Sequence, residues 1–183
     1  MKPKRSHLSC GLLVVLLAAA GNAAAQQPPS CDTAEHRQFD FWVGAWEVVT
    51  PDGELAGNNT IRSILNGCAL EESWRGAEGS IGRSLNMYYT RDGRWHQSWV
   101  DGAGGRLDLA GGVEDNGRMV LSGRMPGADV AEVLHEISWE DLGDGTVKQH
   151  WRASKDGGEA WEDVFVGIYR HPGETSTSAD GRD

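Results

Sequence analysis

Glu72 and His135 are the two residues of this chain whose types and neighbours best suit chemistry. Strand-like alternation places Glu72 on the same face as Trp74, and His135 on the same face as Trp139. A buried carboxyl or imidazole group is a candidate general acid or base, and a buried histidine is also a candidate axial ligand of haem iron. The alternative for His135 is a neutral core histidine that is hydrogen-bonded to Gln149 or water. The alternative for Glu72 is a partner for an interior arginine or glutamine.

The same alternation groups more aromatic and polar residues on what we take as the inner face. Buried polar groups cost about 1–3 kcal/mol each when unpaired, so they must bond one another, water or a ligand. An aromatic cavity with a few polar groups is the default hypothesis for a binding site. The predicted ligand-binding residues are Glu72, Trp74, Gln97, Trp99, His135, Trp139, Gln149 and Trp151. The alternative is a tryptophan-filled core, in a structural envelope protein that binds no ligand.

Glycine-containing turns recur along the chain and separate ten short segments with strand character. We predict strands at roughly 41–50, 55–65, 68–75, 81–90, 94–101, 105–113, 118–124, 130–141, 146–154 and 160–170. A short helical turn is expected at Thr33 to Gln38, capped by Asp32 or Thr33. A meander of this length avoids exposed edges most simply by closing, so the predicted fold is an all-β, antiparallel up-and-down barrel of about ten strands. In the last strand, alternation groups Trp161, Asp163, Phe165 and Tyr169 on the inner face.

Several motifs together resemble an uncharacterised bacterial family whose members are often exported. They include Phe39-Asp40-Phe41-Trp42, Gly44-x-Trp46 and Trp95-x-Gln97-x-Trp99-Val100-Asp101. The resemblance covers about residues 36–170. Because the family has no settled activity, the resemblance implies a fold more than a function.

Two shorter patterns resemble known structural signatures. Gly44-x-Trp46, with Arg170 at the end of the last strand, is similar to the signature of calycins, the lipocalin-like and fatty-acid-binding-like barrels. That resemblance implies that Trp46 closes the barrel floor and that Arg170 stacks on it, a cation–π contact worth about 0.5–2 kcal/mol. The segment Ser154-x-Asp156-x-Gly158-x-x-Trp161 resembles the Asp-box of sialidase propellers. A single copy predicts a stabilised turn.

The N-terminal residues have the pattern of an export signal. Residues 1–25 combine a basic start, a short apolar core and a small-residue cleavage site near Ala25, which predicts periplasmic or secreted protein. Residues 26–35 form a lead-in, 36–172 the barrel domain and 173–183 a disordered tail. Two cysteines remain after cleavage, Cys31 and Cys68. In an oxidising compartment they are expected to form a disulfide, and the alternative is two free, buried thiols.

Charge and motif content narrow the classes of function. Loss of three basic residues with the signal changes the formal net charge from −10 to −13, which argues against nucleic acid and anionic membrane surfaces as partners. The ten-residue apolar core is too short for a membrane span. No zinc spacing or cofactor fingerprint is present, so we expect no metal and no cofactor, apart from the haem alternative at His135. An enzyme that uses Glu72 or His135 is the weaker alternative to a binding protein, and the oligomeric state is left open.

Overall fold

A computed structural model describes residues 31–173. The predicted signal peptide and most of the predicted disordered tail lie outside the described residues. Residues 31–173 contain a short helix α1 (Ala34–Arg37) and a 3₁₀ turn (Asp40–Trp42) before the strands. The ten strands are β1 (Gly44–Val49), β2 (Leu55–Ile64), β3 (Ala69–Gly76), β4 (Ile81–Tyr89), β5 (Arg94–Asp101), β6 (Arg106–Val113), β7 (Met119–Pro126), β8 (Glu132–Asp141), β9 (Val147–Ser154) and β10 (Glu162–Arg170).

The strands form one closed antiparallel barrel in which each strand pairs with its sequence neighbours. The barrel closes where β1 pairs with β10, in the register Glu47↔Arg170, Val48↔Tyr169 and Val49↔Ile168. The Arg170 guanidinium binds the Glu47 carboxylate across this seam. The prediction of an all-β up-and-down barrel of about ten strands is therefore confirmed.

The segment before β1 closes one end of the barrel. Phe39 and Trp42 are fully buried and stack with their ring centroids 4.9 Å apart. Phe39 also meets the edges of Trp95 and Trp139, so the plug packs directly on inward-facing strand residues. We call residues 34–42 the N-terminal plug. Aromatic pairs of this kind add about 0.5–1.5 kcal/mol beyond the area that they bury.

The N-terminal plug is tied to the connection between β2 and β3. A disulfide joins Cys31 to Cys68, as the cysteine count predicted. The Arg37 guanidinium donates hydrogen bonds to the carbonyl oxygens of Cys31 and Gly67, at 2.8 and 2.6 Å. The covalent bond and the guanidinium therefore hold the same two segments together.

The start of the first strand and the helix cap differ from the predictions. Phe41 and Trp42 belong to the 3₁₀ turn, so β1 begins at Gly44 rather than at residue 41. The predicted helical turn is present, but the Thr33 hydroxyl bonds the side chains of Glu35 and His36 and caps no backbone N–H group. Because the 3₁₀ turn directs the chain across the end of the barrel, Trp42 packs in the N-terminal plug and does not belong to a strand.

Trp46 is held differently from the calycin expectation. Its indole Nε1 donates to the Trp42 carbonyl oxygen at 2.9 Å, and its ring stacks on His171 with centroids 4.5 Å apart. A Cβ at Gly44 would lie 3.1 Å from the indole, so glycine allows the ring to fold close to the strand. The expected stacking of Arg170 on Trp46 is wrong, because Arg170 is engaged with Glu47.

In the last hairpin, the predicted inward face of Asp163 is wrong, and the predicted stabilised turn at Asp156 is present. A β-bulge between Asp163 and Phe165 reverses the alternation, so Asp163 is exposed and bonds His150, whereas Tyr169 is buried. In the preceding turn, Asp156 accepts hydrogen bonds from the N–H groups of residues 159 and 160. The Asp-box pattern is thus a turn-stabilising device, as predicted.

Candidate functional site

A cavity of about 460 Å³ opens at the end of the barrel opposite the N-terminal plug. Its mouth lies beside the β1–β2 and β3–β4 turns, where Glu54 and Glu78 line it, and it extends inward to Trp139 and Tyr169. Seven of the eight predicted ligand-binding residues line this cavity. They are Glu72, Trp74, Gln97, Trp99, Trp139, Gln149 and Trp151.

His135 is the predicted site residue that does not line the cavity. Its Nδ1 accepts a hydrogen bond from the Trp151 indole N–H at 3.1 Å, which requires Nδ1 to be unprotonated. Desolvation lowers the pKa of His135, so the neutral form that makes this bond is favoured. His135 therefore positions Trp151 in the cavity wall.

A continuous chain of hydrogen-bonded side chains crosses the interior between β5 and β2. Gln97 donates to Asn86 at 2.8 Å, Asn86 donates to Ser84 at 2.8 Å, and Ser84 donates to Glu72 at 2.6 Å. Asn59 donates to the other oxygen of Glu72 at 2.7 Å. We call these residues, with Tyr169 and Gln149, the polar floor. The chain of donors from Gln97 through Asn86 and Ser84 therefore ends at Glu72, and Asn86 also donates to the Leu70 carbonyl oxygen at 3.4 Å.

The polar floor continues from Asn59 to the last two strands. Asn59 donates to the Tyr169 hydroxyl at 3.2 Å, and that hydroxyl donates to Gln149 Oε1. Burial, followed by the nearby charge of Glu72, raises the pKa of Tyr169 well above its ordinary value. The phenol therefore stays protonated and can donate to Gln149.

Glu72 is the acidic centre of the polar floor and is only 5% exposed. Burial raises its pKa from 4.5 to about 6, and the hydrogen bonds from Ser84 and Asn59 oppose part of that rise. No salt bridge within residues 31–173 includes Glu72. Near pH 7 the group is mostly ionised and has no protein counter-ion in that range.

The part of the cavity nearer the mouth, which we call the upper wall, is lined by the indoles of Trp74, Trp99 and Trp151. Nearby glycines make room for these rings. A Cβ at Gly82 would lie 2.1 Å from the Trp99 ring, so only glycine allows the observed position of that indole. The Trp74 indole N–H donates to Ser80 at 3.2 Å, and the Trp74 ring meets Phe165 edge-on at 6.1 Å. Contacts with neighbouring residues therefore hold the rings of Trp74 and Trp99 in place.

Four residues of the polar floor were not predicted from the sequence, namely Asn59, Ser84, Asn86 and Tyr169. Asparagine and serine are typical of turns, so their presence in strands gave no clear signal. Strand alternation could have placed these residues on the inner face, because Asn59 shares a face with buried Ile61, and Ser84 shares a face with Asn86. Tyr169 was assigned to the inner face but given no role.

Metal ligands and further histidines offer no second site in the described range. No group of three or more histidine, cysteine, aspartate or glutamate residues within 31–173 could hold a metal ion. His96 and His150 bond Asp92 and Asp163 at 2.8 and 2.6 Å, outside the cavity lining. None of the helices that the structure describes is long and apolar enough to cross a membrane.

Comparisons with known proteins give no relative from which a function could be transferred. No family model matches the chain, and no curated protein is significantly similar to it. The function is therefore argued from the cavity itself.

Proposed function

We propose that this barrel binds a small molecule with an apolar or aromatic body inside the cavity, with a polar group of the ligand at the polar floor. The observation that supports the proposal most is the combination of an aromatic upper wall with a buried polar floor in one cavity of about 460 Å³. Pockets of roughly 300–1,000 Å³ with a few convergent polar groups are typical of small-molecule sites. Trp74 and Trp99 would contact the body of the ligand, and Gln97 and Gln149 its polar group.

Two side chains of the polar floor, Gln97 and Gln149, keep hydrogen-bonding atoms that a polar group of the ligand could contact. Gln97 uses its amide N–H group on Asn86, and no hydrogen bond within the described residues reaches its carbonyl Oε1. Gln149 accepts from Tyr169 at Oε1, and its Nε2 donates to no residue of the described range. The Gln97 carbonyl oxygen and the Gln149 amide nitrogen are therefore an acceptor and a donor group that can bond a ligand or water.

Acid–base catalysis in the same cavity is the second candidate, and the raised pKa of Glu72 favours it. A carboxyl group with a pKa of about 6 exchanges protons readily near neutral pH. If a substrate is found, Glu72→Gln should abolish turnover and keep binding. Turnover that survives this substitution would exclude Glu72 as the acid or base. His135 lies outside the cavity lining, so the cavity offers no histidine ligand for haem, and we propose no haem function.

Export and a calycin-like character are part of the proposal. The disulfide supports export, because such bonds persist in oxidising compartments. The closed barrel with its internal cavity supports the calycin-like resemblance, and the Glu47–Arg170 pair departs from it. The structural alternative is an envelope barrel that binds no ligand. In that case the Gln97 carbonyl oxygen and the Gln149 amide nitrogen would form hydrogen bonds with water.

Tryptophan fluorescence tests the binding proposal directly, because four tryptophans line the cavity. Titration with a series of linear and phenyl-substituted alcohols should give a saturable change in emission for at least one member. N-acetyltryptophanamide titrated in parallel corrects for quenching in solution. Emission that changes only as it does for the free indole, for every compound, would contradict the proposal.

A further inference from the structure

The charges that line the cavity all have the same sign. Among the residues of the range 31–173 that line it are three acids, Glu54, Glu72 and Glu78, and no lysine, arginine or histidine. We propose that the ligand is an organic cation, an amine with an apolar or aromatic body, whose ammonium group lies against Glu72. This inference rests on the proposed binding function and specifies the chemical class of the ligand.

The carboxylate of Glu72 has an uncompensated charge and unused hydrogen-bond acceptor positions, and a cationic ligand would match both. An ionised carboxylate buried without a counter-ion is costly, and an ammonium group would compensate its charge. Each of its oxygens accepts one hydrogen bond, from Asn59 and from Ser84, whereas a carboxylate can accept about four. An ammonium group donates and does not accept, so it matches the acceptors that remain.

The direction of the floor hydrogen bonds also suits a cation. Donation runs from Gln97 through Asn86 and Ser84 to Glu72, so the chain is polarised toward a negative carboxylate. The Gln97 carbonyl oxygen, at the start of this chain, is a further acceptor. An anionic ligand would meet a carboxylate and acceptors, with the Gln149 amide as the available donor.

The aromatic wall favours the same ligand class. Trp74, Trp99 and Trp151 line the cavity beside Glu72. Indole is the aromatic group that attracts cations most strongly, and desolvation strengthens the attraction. A neutral ligand would gain only the apolar contact with these rings, so the wall and the floor both distinguish an amine from a neutral analogue.

The other groups that face Glu72 do not supply a positive charge. Asn59 of β2 and Ser84 of β4 are uncharged, and Tyr169 of β10 stays a neutral phenol. Glu54 and Glu78 stand in the turns at the mouth and are exposed, so they repel anions approaching the cavity. The acidic net charge of the chain acts in the same direction.

A matched set of three ligands tests the inference by titration calorimetry. The set is 4-phenylbutylamine, 4-phenylbutanol and 4-phenylbutyrate, which share one body and differ in the terminal group. At about pH 7.5 we expect the amine to bind about tenfold or more tightly than the alcohol, since a charge-assisted hydrogen bond is roughly twice as strong as a neutral one. The carboxylate should bind most weakly.

Two variants test whether the charge of Glu72 causes the preference for the amine over the alcohol. Glu72→Gln should reduce the amine-to-alcohol ratio to about threefold or less and leave alcohol binding nearly unchanged, because the charge is lost and the shape is kept. Glu140→Gln removes an exposed acid that does not line the cavity and should keep the preference, because exposed charges are screened. Near-ultraviolet circular dichroism checks that both variants fold.

A pH series on the unsubstituted protein gives an independent test if Glu72→Gln does not fold. The amine preference should fall as the pH drops below about 6, where Glu72 takes up a proton, although the amine stays charged. Equal or tighter binding of the alcohol, the tightest binding by the carboxylate, or a pH-independent preference would overturn the inference and leave the binding function standing. No binding of any of the three would count against both.

Discussion

At the scale of single residues, the main feature of the cavity is the buried carboxyl group of Glu72, which has no counter-ion among the residues that the structure describes. Glu72 is held by Asn59 and Ser84, which solvate it in place of water. Burial dominates over these bonds and raises its pKa to about 6, so the ionised form costs stability in the folded protein. Such a cost is characteristic of functional sites, where a group is kept for its chemistry.

The first prediction concerns the pH dependence of stability. Because the folded-state pKa of Glu72 is raised above the unfolded value near 4.5, the folded protein binds the proton more tightly. The cost of its charge is therefore fully present above about pH 6 and is relieved as the pH falls from 6 to 4.5. Between about pH 8 and pH 4.5, the unsubstituted protein should gain about 1–2 kcal/mol of unfolding free energy relative to Glu72→Gln.

Denaturant unfolding of the two proteins across this range measures the difference. The comparison cancels other acids, such as Asp92 and Asp156, whose pKa values are lowered and whose contributions are lost at low pH. Parallel pH profiles for the two proteins would show that Glu72 has an ordinary pKa. The charge-burial account of the floor would then be wrong.

Residue-scale prediction from the sequence succeeded where side-chain size and polarity were both distinctive. Glu72, Gln97 and Gln149 were identified because long polar groups alternate with tryptophans, and all three line the cavity. Asn59 and Ser84 were missed because short polar residues are common in turns as well as in interiors. His135 shares the inner-face alternation of β8, which periodicity detects, but periodicity cannot show that the histidine bonds Trp151 and does not itself line the cavity.

At the scale of elements, neighbouring strands set the shape of the cavity through close contacts between glycines and indoles. Gly82 on β4 lies under the ring of Trp99 on β5, and a side chain there would displace the ring. Overpacking of this kind typically costs about 1–3 kcal/mol. The position of the aromatic wall is thus determined partly by residues that have no side chain.

The second prediction tests this contact. Gly82→Ala should lower stability by about 1–3 kcal/mol and weaken ligand binding by about tenfold, because the Trp99 ring must move from its place in the wall. Thermal unfolding and fluorescence titration measure the two effects. Gly112→Ala on β6 is the matched control, since a Cβ there meets nothing within 4 Å.

The two glycine variants should therefore behave differently. The control should remain within about 0.5 kcal/mol of the unsubstituted protein and keep its affinity. If Gly82→Ala were as stable and bound as tightly as Gly112→Ala, the aromatic wall would be adaptable. The fixed shape inferred for the cavity would then be wrong.

Element boundaries show why part of the fold could not be predicted from the sequence. Recurring glycine-containing turns predicted the ten strands, but the alternation used to assign their faces gave no warning of the bulge that turns Asp163 outward. The Phe39–Trp42 segment has strand-like composition, yet it folds into a 3₁₀ turn because its rings fill the barrel end. Tertiary packing decides both cases, and it overrides local pattern.

At the scale of the whole molecule, the barrel is closed at one end and open at the other. The N-terminal plug, the disulfide and Arg37 lie at the closed end, whereas the mouth lies beside the β1–β2 and β3–β4 turns. The disulfide and the Arg37 contacts are therefore separated in space from the mouth of the cavity. A change at the closed end should alter unfolding more than it alters ligand affinity.

The third prediction uses this separation. Replacing Cys31 and Cys68 together by serine should lower the unfolding free energy by about 3–4 kcal/mol, from the chain entropy of a loop with a sequence separation of 37. Ligand affinity should change by less than about threefold. Denaturant unfolding and fluorescence titration of the same samples measure both quantities. A large loss of affinity with little loss of stability would contradict the assignment of the two ends.

A crystal structure of the protein with 4-phenylbutylamine tests the central claim, small-molecule binding in the cavity, most directly. The account predicts ordered density inside the barrel, with the phenyl ring between the indoles of Trp74, Trp99 and Trp151 and the amine within hydrogen-bond distance of Glu72. Ligand density found only outside the barrel, or an interior filled by ordered water at a ligand concentration that saturates solution binding, would contradict it.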